Sequence, residues 1–169
     1  MILSTIGAAH MAASVVALAL GTVVVMERKG TAAHRAIGAG YVAAMVAVNL
    51  TALGLYRLTG HFGPFHLLAL MSLATVAHGM LAALRRRRGW LGTHYYAMAW
   101  SYLGLLAAAC AEAVVRIPML AASIRNPQRA IALGMAIAIL FTIAGTIILP
   151  RLQARIFASA EGAAARAIE

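Results

Sequence analysis

The chain has 169 residues, 63% of them hydrophobic and only 11% charged, with a formal net charge of +10. A soluble domain carries about 25% charged residues. Here the few charges are bunched, Asp is absent and only four Glu occur, which excludes a water-soluble globular domain. Nucleic acid is excluded as a partner too, because the basic residues flank apolar runs and do not interleave with aromatics on a soluble element.

Five apolar runs, each of roughly 20 residues and so long enough to cross a bilayer, follow in chain order: 4–26, 35–56, 64–84, 93–115 and 130–149. The first, within "MILSTIGAAHMAASVVALALG", lacks a basic n-region and reads as a retained span, not a cleaved signal peptide. "ERKG" closes it, "YRLTGHFGP" separates the second run from the third, and "RRRRGW" ends the third. The two prolines of "RIPMLAASIRNPQR" break the fourth from the fifth, and Pro150 is expected to stop the last. Period-two alternation is absent, so a β-barrel is excluded. The expected fold is an all-α integral membrane protein, a five-transmembrane-helix bundle occupying 1–150 as a single domain, with a tail over 151–169.

Ten of the fourteen Lys and Arg residues fall on one side: Arg28, Lys29 and Arg35, then Arg85 to Arg88, then Arg151, Arg155 and Arg166. Arg57, Arg116, Arg125 and Arg129 fall on the other. Positive charge stays in the cytoplasm, which predicts the N-terminus outside and the tail cytoplasmic. Trp90, Tyr95 and Tyr96 are then an inner aromatic belt, and Tyr56, Phe62 and Phe65 an outer one. Small residues four apart (Ala36 and Gly40, Gly104 and Ala108, Gly134 and Ala138) let helices approach closely in lipid. The expected partners are the bilayer itself and other membrane proteins or further copies of the chain. The single cysteine, Cys110, rules out an intramolecular disulfide and reads as an apolar filler.

The first four runs form two similar helical hairpins plus a fifth helix. In each hairpin a basic loop leads to Gly-Thr and then a histidine: "GTAAHRAIGAGY" at 30–41 and "GTHYYAMAWSY" at 92–102. Thr31 and Thr93 are expected N-caps. On this topology His10, His61 and His66 form an outer group, and His34, His78 and His94 an inner one. Ionisable groups within a span cost free energy and are usually kept for a function or a partner. Imidazole can ligate haem iron, ligate zinc or copper, or relay protons.

His10 with His66 is the expected outer ligand pair, and His34 with His94, or His78 with His94, the inner one. His66 and His78 face directions about 120° apart on their helix, so one helix face does not serve two stacked haems. Arg35 suits a haem propionate or an anionic headgroup. His10, His66 and Glu112 are the alternative, zinc-like set, with two nitrogens and one oxygen leaving an open position. Glu112 also lies four residues before Arg116 on one face, within pairing distance.

These segments resemble a known family. His10 in the first helix, "HRAIGAGYV", the basic loop, "THYYAMAWSY" and "VVRIP" are similar to the domain of unknown function 2306 family of predicted multi-pass bacterial membrane proteins, over roughly residues 5–118. The resemblance implies a polar signature at His10, His34, Arg35, Gly38, His94, Met98, Ser101 and Arg116, and a place in the bacterial inner membrane. The chain departs from the pattern after Gly21, where an apolar run replaces an expected Gln, and after Tyr95 and Tyr96, where no basic residue follows. The family brings no established activity with it.

Three functions fit these residues. The first is a small haem- or metal-binding redox protein, with haem b, zinc or copper as the bound group. The second is a cofactor-free structural or assembly subunit of a larger membrane complex. The third is a proton-coupled transporter using Glu112 and the histidines.

Overall fold

In lipid every backbone N–H and C=O must find a partner within the protein, and each apolar run meets that demand as an α-helix. The computed structural model describes residues 4–56, 60–116 and 126–166. Its helices are α1 (Thr5–Met26), α2 (Ala32–Leu53), α3 (Pro64–Arg85), α4 (Trp90–Arg116) and α5 (Pro127–Arg166). All five are long and apolar enough to cross a membrane, and the described residues contain no strand. The protein is an all-α integral membrane protein. Arg57 and Arg125, used above to orient the chain, lie outside the described residues, as does the Arg116 side chain.

The helix starts follow from capping chemistry. Ser4 Oγ accepts from the Gly7 N–H at 3.2 Å, and Thr31 Oγ1 accepts from the His34 N–H at 3.1 Å. Thr31 is therefore the expected N-cap of α2. At α3, Pro64 opens the helix and His66 reaches back, its Nδ1 accepting from the Gly63 N–H at 3.1 Å. Thr93 does not cap α4, which begins at Trp90; its hydroxyl donates back to the Gly89 carbonyl at 3.4 Å. Gly89 turns the chain at φ +77°, as Gly30 does at +80° in the α1–α2 turn, a conformation in which a side chain would be strained. That tight turn lets the helix restart earlier than the Gly-Thr signal suggests.

Pro150 does not stop α5, which continues to Arg166, so residues 151–166 extend the helix where a tail was expected. Proline removes one backbone bond, a loss that membrane helices tolerate where local adjustments re-satisfy the freed group. On the neighbouring helix, Tyr95 Oη donates to the Leu149 carbonyl at 3.1 Å and ties this part of α5 to α4.

The most extensive contacts are within the hairpins α1–α2 and α3–α4. Contacts of α2 with α3 and of α1 with α4 join them, and α5 packs on α4. Ala17, Tyr41, Met45, Val48, Val76 and Leu105 form one buried cluster, while Val15, Leu50, Met71, Ile139 and Leu140 face outward, as lipid contact requires. The two glycine turns, with Arg28, Lys29 and Arg85 to Arg88 beside them, form the basic end of the bundle.

Lipid supplies little hydrophobic drive for helix association, so close packing must hold the bundle together. Of the expected small-residue pairs, Gly40 and Gly134 do serve contacts: a Cβ there would lie 3.2 Å from Leu20 and 3.0 Å from Phe65. Gly104 meets nothing within 4 Å. Tighter approaches occur at Gly21, where a Cβ would fall 2.5 Å from the Tyr102 ring, and at Gly145, where it would fall 2.7 Å from Trp100. Gly21→Val should therefore lower stability by about 1–3 kcal/mol through overpacking, read as a lower thermal midpoint in detergent. An unchanged midpoint would mean that α1 does not seat against α4 as described.

At the C-terminus of α1, Lys29 Nζ donates to the carbonyls of Val24 (3.0 Å), Val25 (2.6 Å) and Glu27 (3.1 Å). Burial pushes the Lys29 ammonium below the ordinary value of 10.5, with Glu27 pulling it partly back. Between the lowered value and 10.5 the unfolded chain therefore binds more protons than the folded one, and stability should rise slightly with pH across that window. Lys29→Arg should flatten this rise, since guanidinium does not titrate there; a slope that persists in the variant would place its origin elsewhere.

Candidate functional site

Capping by Thr31 sets the first turn of α2 so that His34 lies at the basic end of the bundle, half-buried, within electrostatic range of Lys29, Glu27 and His94. His94 occupies the corresponding place in the second turn of α4. The structure thus brings together the two histidines that follow the Gly-Thr signals, one from each hairpin.

Each ring sits beside a backbone carbonyl of its hairpin partner. His94 Nδ1–H donates to the Gly79 carbonyl of α3 at 2.9 Å. This bond fixes the neutral ring's tautomer and leaves Nε2 with its lone pair, since one ring nitrogen donates and the other accepts. The Val24 carbonyl of α1 lies beside the His34 ring, and the His34 Nδ1 is buried with no hydrogen-bond partner. His94 is therefore tethered through Nδ1 to the backbone of its hairpin partner, and each histidine keeps a nitrogen uncommitted among the described residues. Backbone tethering of the far nitrogen is how metal-ligating histidines are commonly oriented.

Gly79 makes this possible on the α3 side. A Cβ at that position would lie 2.5 Å from Met98 Cε and 2.9 Å from Ala97 Cβ, so only glycine brings its carbonyl this close to α4. Arg35, next to His34, donates through Nη1 to the Gly30 carbonyl at 2.7 Å. It braces the α1–α2 turn and keeps its remaining N–H groups.

A polar layer lies two turns deeper. Tyr41 Oη donates to Ser101 Oγ at 2.8 Å, and Ser101 in turn donates to the Met98 carbonyl at 3.0 Å. Tyr102 Oη donates to Thr22 Oγ1 at 2.7 Å, and Thr22 donates to Leu18 at 2.8 Å. The Tyr41 and Tyr102 rings meet edge to face with centroids 6.3 Å apart. Tyr41 is 2% exposed and Ser101 3%, so this layer separates the histidine pair from the other half of the bundle. The sequence reading did not identify Tyr41, Tyr102 or Thr22 as functional. A usable signal was present: Tyr41 follows His34, and Ser101 follows His94, by seven residues, two helical turns on one face.

The other singled-out residues lie apart from this site. His10 Nδ1–H meets the Val48 carbonyl at 3.1 Å and Thr51 Oγ1 at 3.0 Å, joining α1 to α2 near the opposite end. His66 is 3% exposed and stacks on Tyr56 and Phe62, with ring centroids 4.6 and 5.1 Å away. Because its Nδ1 accepts from Gly63, the proton of the neutral ring sits on Nε2, which is buried without a partner. That nitrogen is a donor and is poorly suited to bind a metal, so the expected His10–His66 ligand pair does not follow from this arrangement.

His61 is exposed in the α2–α3 loop. His78 is exposed on α3 and lines a groove between α3 and α4 along with Thr93 and Trp100, while the adjacent Gly79 carbonyl holds His94. The inner pair brought together is therefore His34 with His94. Glu112 is exposed on α4, and its expected pairing with Arg116 falls outside the described side chains. Among the described residues no group of three or more His, Cys, Asp or Glu side chains is placed to hold a metal ion, so His10, His66 and Glu112 are not assembled as a triad.

Comparison with known proteins adds one finding. The family model described as a predicted membrane protein, DUF2306, matches residues 7–149. No curated protein and no solved structure matches. The chain belongs to the DUF2306 family.

Proposed function

We propose that this member of the DUF2306 family is a small redox protein of the bacterial inner membrane, in which His34 and His94 would hold a haem at the basic end. The observation that carries this reading is the placement of two imidazoles, one from each hairpin, at the same end of the bundle, each with an uncommitted nitrogen. His94 is oriented by its Nδ1–H bond to the Gly79 carbonyl, and His34 lies beside the Val24 carbonyl with its Nδ1 buried and unpartnered.

Haem is favoured over zinc or copper by ligand number. A structural zinc site takes four protein ligands and a catalytic one usually three, whereas a porphyrin supplies four nitrogens itself and asks the protein for only the axial positions. Two histidines, with no group of three ligating side chains among the described residues, suit the second case. When bound, the haem would provide one-electron chemistry. The protein's own residues would fix the His94 ring plane through Gly79 and exclude water on the deep side through the Tyr41–Ser101 layer. Arg35 would offer guanidinium N–H groups to a propionate or a headgroup.

The same reading places the basic end in the cytoplasm and the N-terminus outside, following the charge asymmetry of the loops. Haem and metal content of the full chain, purified in mild detergent, tests the assignment. About one haem per one or two chains is expected from a single two-ligand site. Stoichiometric zinc or copper without haem would replace haem by a metal ion, and neither group would leave the cofactor-free subunit as the reading to pursue.

A further inference from the structure

We propose that the lipid-facing groove between α3 and α4 at the basic end is a specific site for an anionic phospholipid. The site is separate from the histidine pair and does not depend on a cofactor.

The groove has two connected parts. The deeper, of about 400 Å³, is lined by Ala74, Thr75, Tyr96 and Trp100. The shallower, of about 230 Å³, is lined by Leu81, Trp90 and three arginines, Arg85, Arg87 and Arg88. His78 and Thr93 border both, so an apolar slot within the span runs directly into a basic mouth at its end. A phospholipid has the same layout, with acyl chains in the hydrocarbon and a phosphate at the boundary.

Charge complementarity selects an anionic lipid. No Asp occurs in the chain, and no Glu lines either part of the groove. Arg86, the remaining arginine of the run, lies over the Trp90 ring at 5.6 Å and holds that ring at the mouth. Arg85, Arg87 and Arg88 are exposed. Guanidinium binds phosphate oxygens through paired N–H groups, and basic clusters beside a span attract anionic headgroups. Thr75 donates its hydroxyl to Met71 at 2.8 Å and Thr93 to Gly89 at 3.4 Å, so both threonine hydroxyls of the groove are satisfied by backbone carbonyls. Tyr96 and Trp100 give it the aromatic walls that suit the interface.

Native mass spectrometry of the detergent-solubilised full chain, with phosphatidylglycerol and phosphatidylcholine in competition, tests the proposal. The wild type should retain phosphatidylglycerol with a preference of about tenfold or more, given the contribution of each juxtamembrane basic residue. The triple variant Arg85→Gln, Arg87→Gln, Arg88→Gln should bring the two lipids near parity. The control Arg151→Gln, Arg155→Gln, which removes basic charge from α5, should keep the preference.

Should the triple variant fail to fold, Ala74→Phe fills the slot at an exposed position without changing charge and should reduce retention of the lipid. Equal retention of both lipids by the wild type would overturn the site. So would a preference lost equally in the α5 control, or one unaffected by both groove variants. Displacement of phosphatidylglycerol by inorganic phosphate at equal concentration would make the mouth a free-anion site and would also overturn the lipid assignment.

Discussion

His34→Ala and His94→Ala should each abolish the bound group, while His10→Ala and His66→Ala should leave it in place. A haem held between the two imidazoles would need both, and the rings arrive from different hairpins, His94 oriented by the Gly79 carbonyl and His34 with an unpartnered Nδ1. Loss of either leaves a single ligand, and the expected result is a fall in haem content from near stoichiometric to background.

The contrast with the other end is what makes the result specific. His10 is occupied with Val48 and Thr51, and His66 with Gly63, Tyr56 and Phe62. Their removal should cost stability, about 1 kcal/mol for a lost hydrogen bond, and not cofactor. If all four variants lose the bound group alike, the loss reports misfolding and not ligation. If His10→Ala and His66→Ala lose it while the other two keep it, the site is at the opposite end.

Gly79→Val should have the second large effect, because two functions meet at that residue. A Cβ there would fall within 2.5 Å of Met98 and 2.9 Å of Ala97. Met98 can swing aside, but Ala97 is 7% exposed and its Cβ cannot move without α4. Relief requires α3 and α4 to part, which carries the Gly79 carbonyl away from His94 Nδ1. Overpacking costs about 1–3 kcal/mol, and the freed imidazole loses its orientation. The variant should therefore show both a lower thermal midpoint and weaker haem retention. Gly104→Val is the matched control, since nothing lies within 4 Å of a Cβ there, and it should retain both properties. A Gly79→Val protein as stable and as haem-replete as the wild type would show that the α3–α4 contact does not set the site.

How much of this was legible in the sequence depends on what each signal encodes. Hydropathy reports how much chain can lie in lipid, so the five spans and their order could be read, as could Thr31 as a cap. Local turn geometry is finer than hydropathy: α4 begins at Trp90 because Gly89 turns the chain so tightly, and Thr93 as a cap would start the helix four residues too late. Pro150 marks a stop by its missing N–H and ring clash, whereas α5 runs through it, as membrane helices do where the freed carbonyl finds another partner.

Within the site, the recurrence of Gly-Thr before a histidine singled out His34 and His94 without any structure. Depth alone grouped His10 with His66 and His78 with His94, and depth carries no information on azimuth. His78 proves to face outward, one residue from the Gly79 carbonyl that holds His94. Backbone partners such as Val24 and Gly79 have no side-chain signature, so no motif could have named them. The Tyr41–Ser101 layer was within reach through its seven-residue spacing from the two histidines.

The central claim is that His34 and His94 jointly hold a haem, and its most direct test is the visible spectrum of the purified full chain, oxidised and then reduced with dithionite. The account predicts a Soret band that shifts on reduction, with the sharpened long-wavelength bands of a six-coordinate, bis-histidine b-type haem. A colourless protein with a featureless spectrum in both states, from cells supplied with haem, would contradict it.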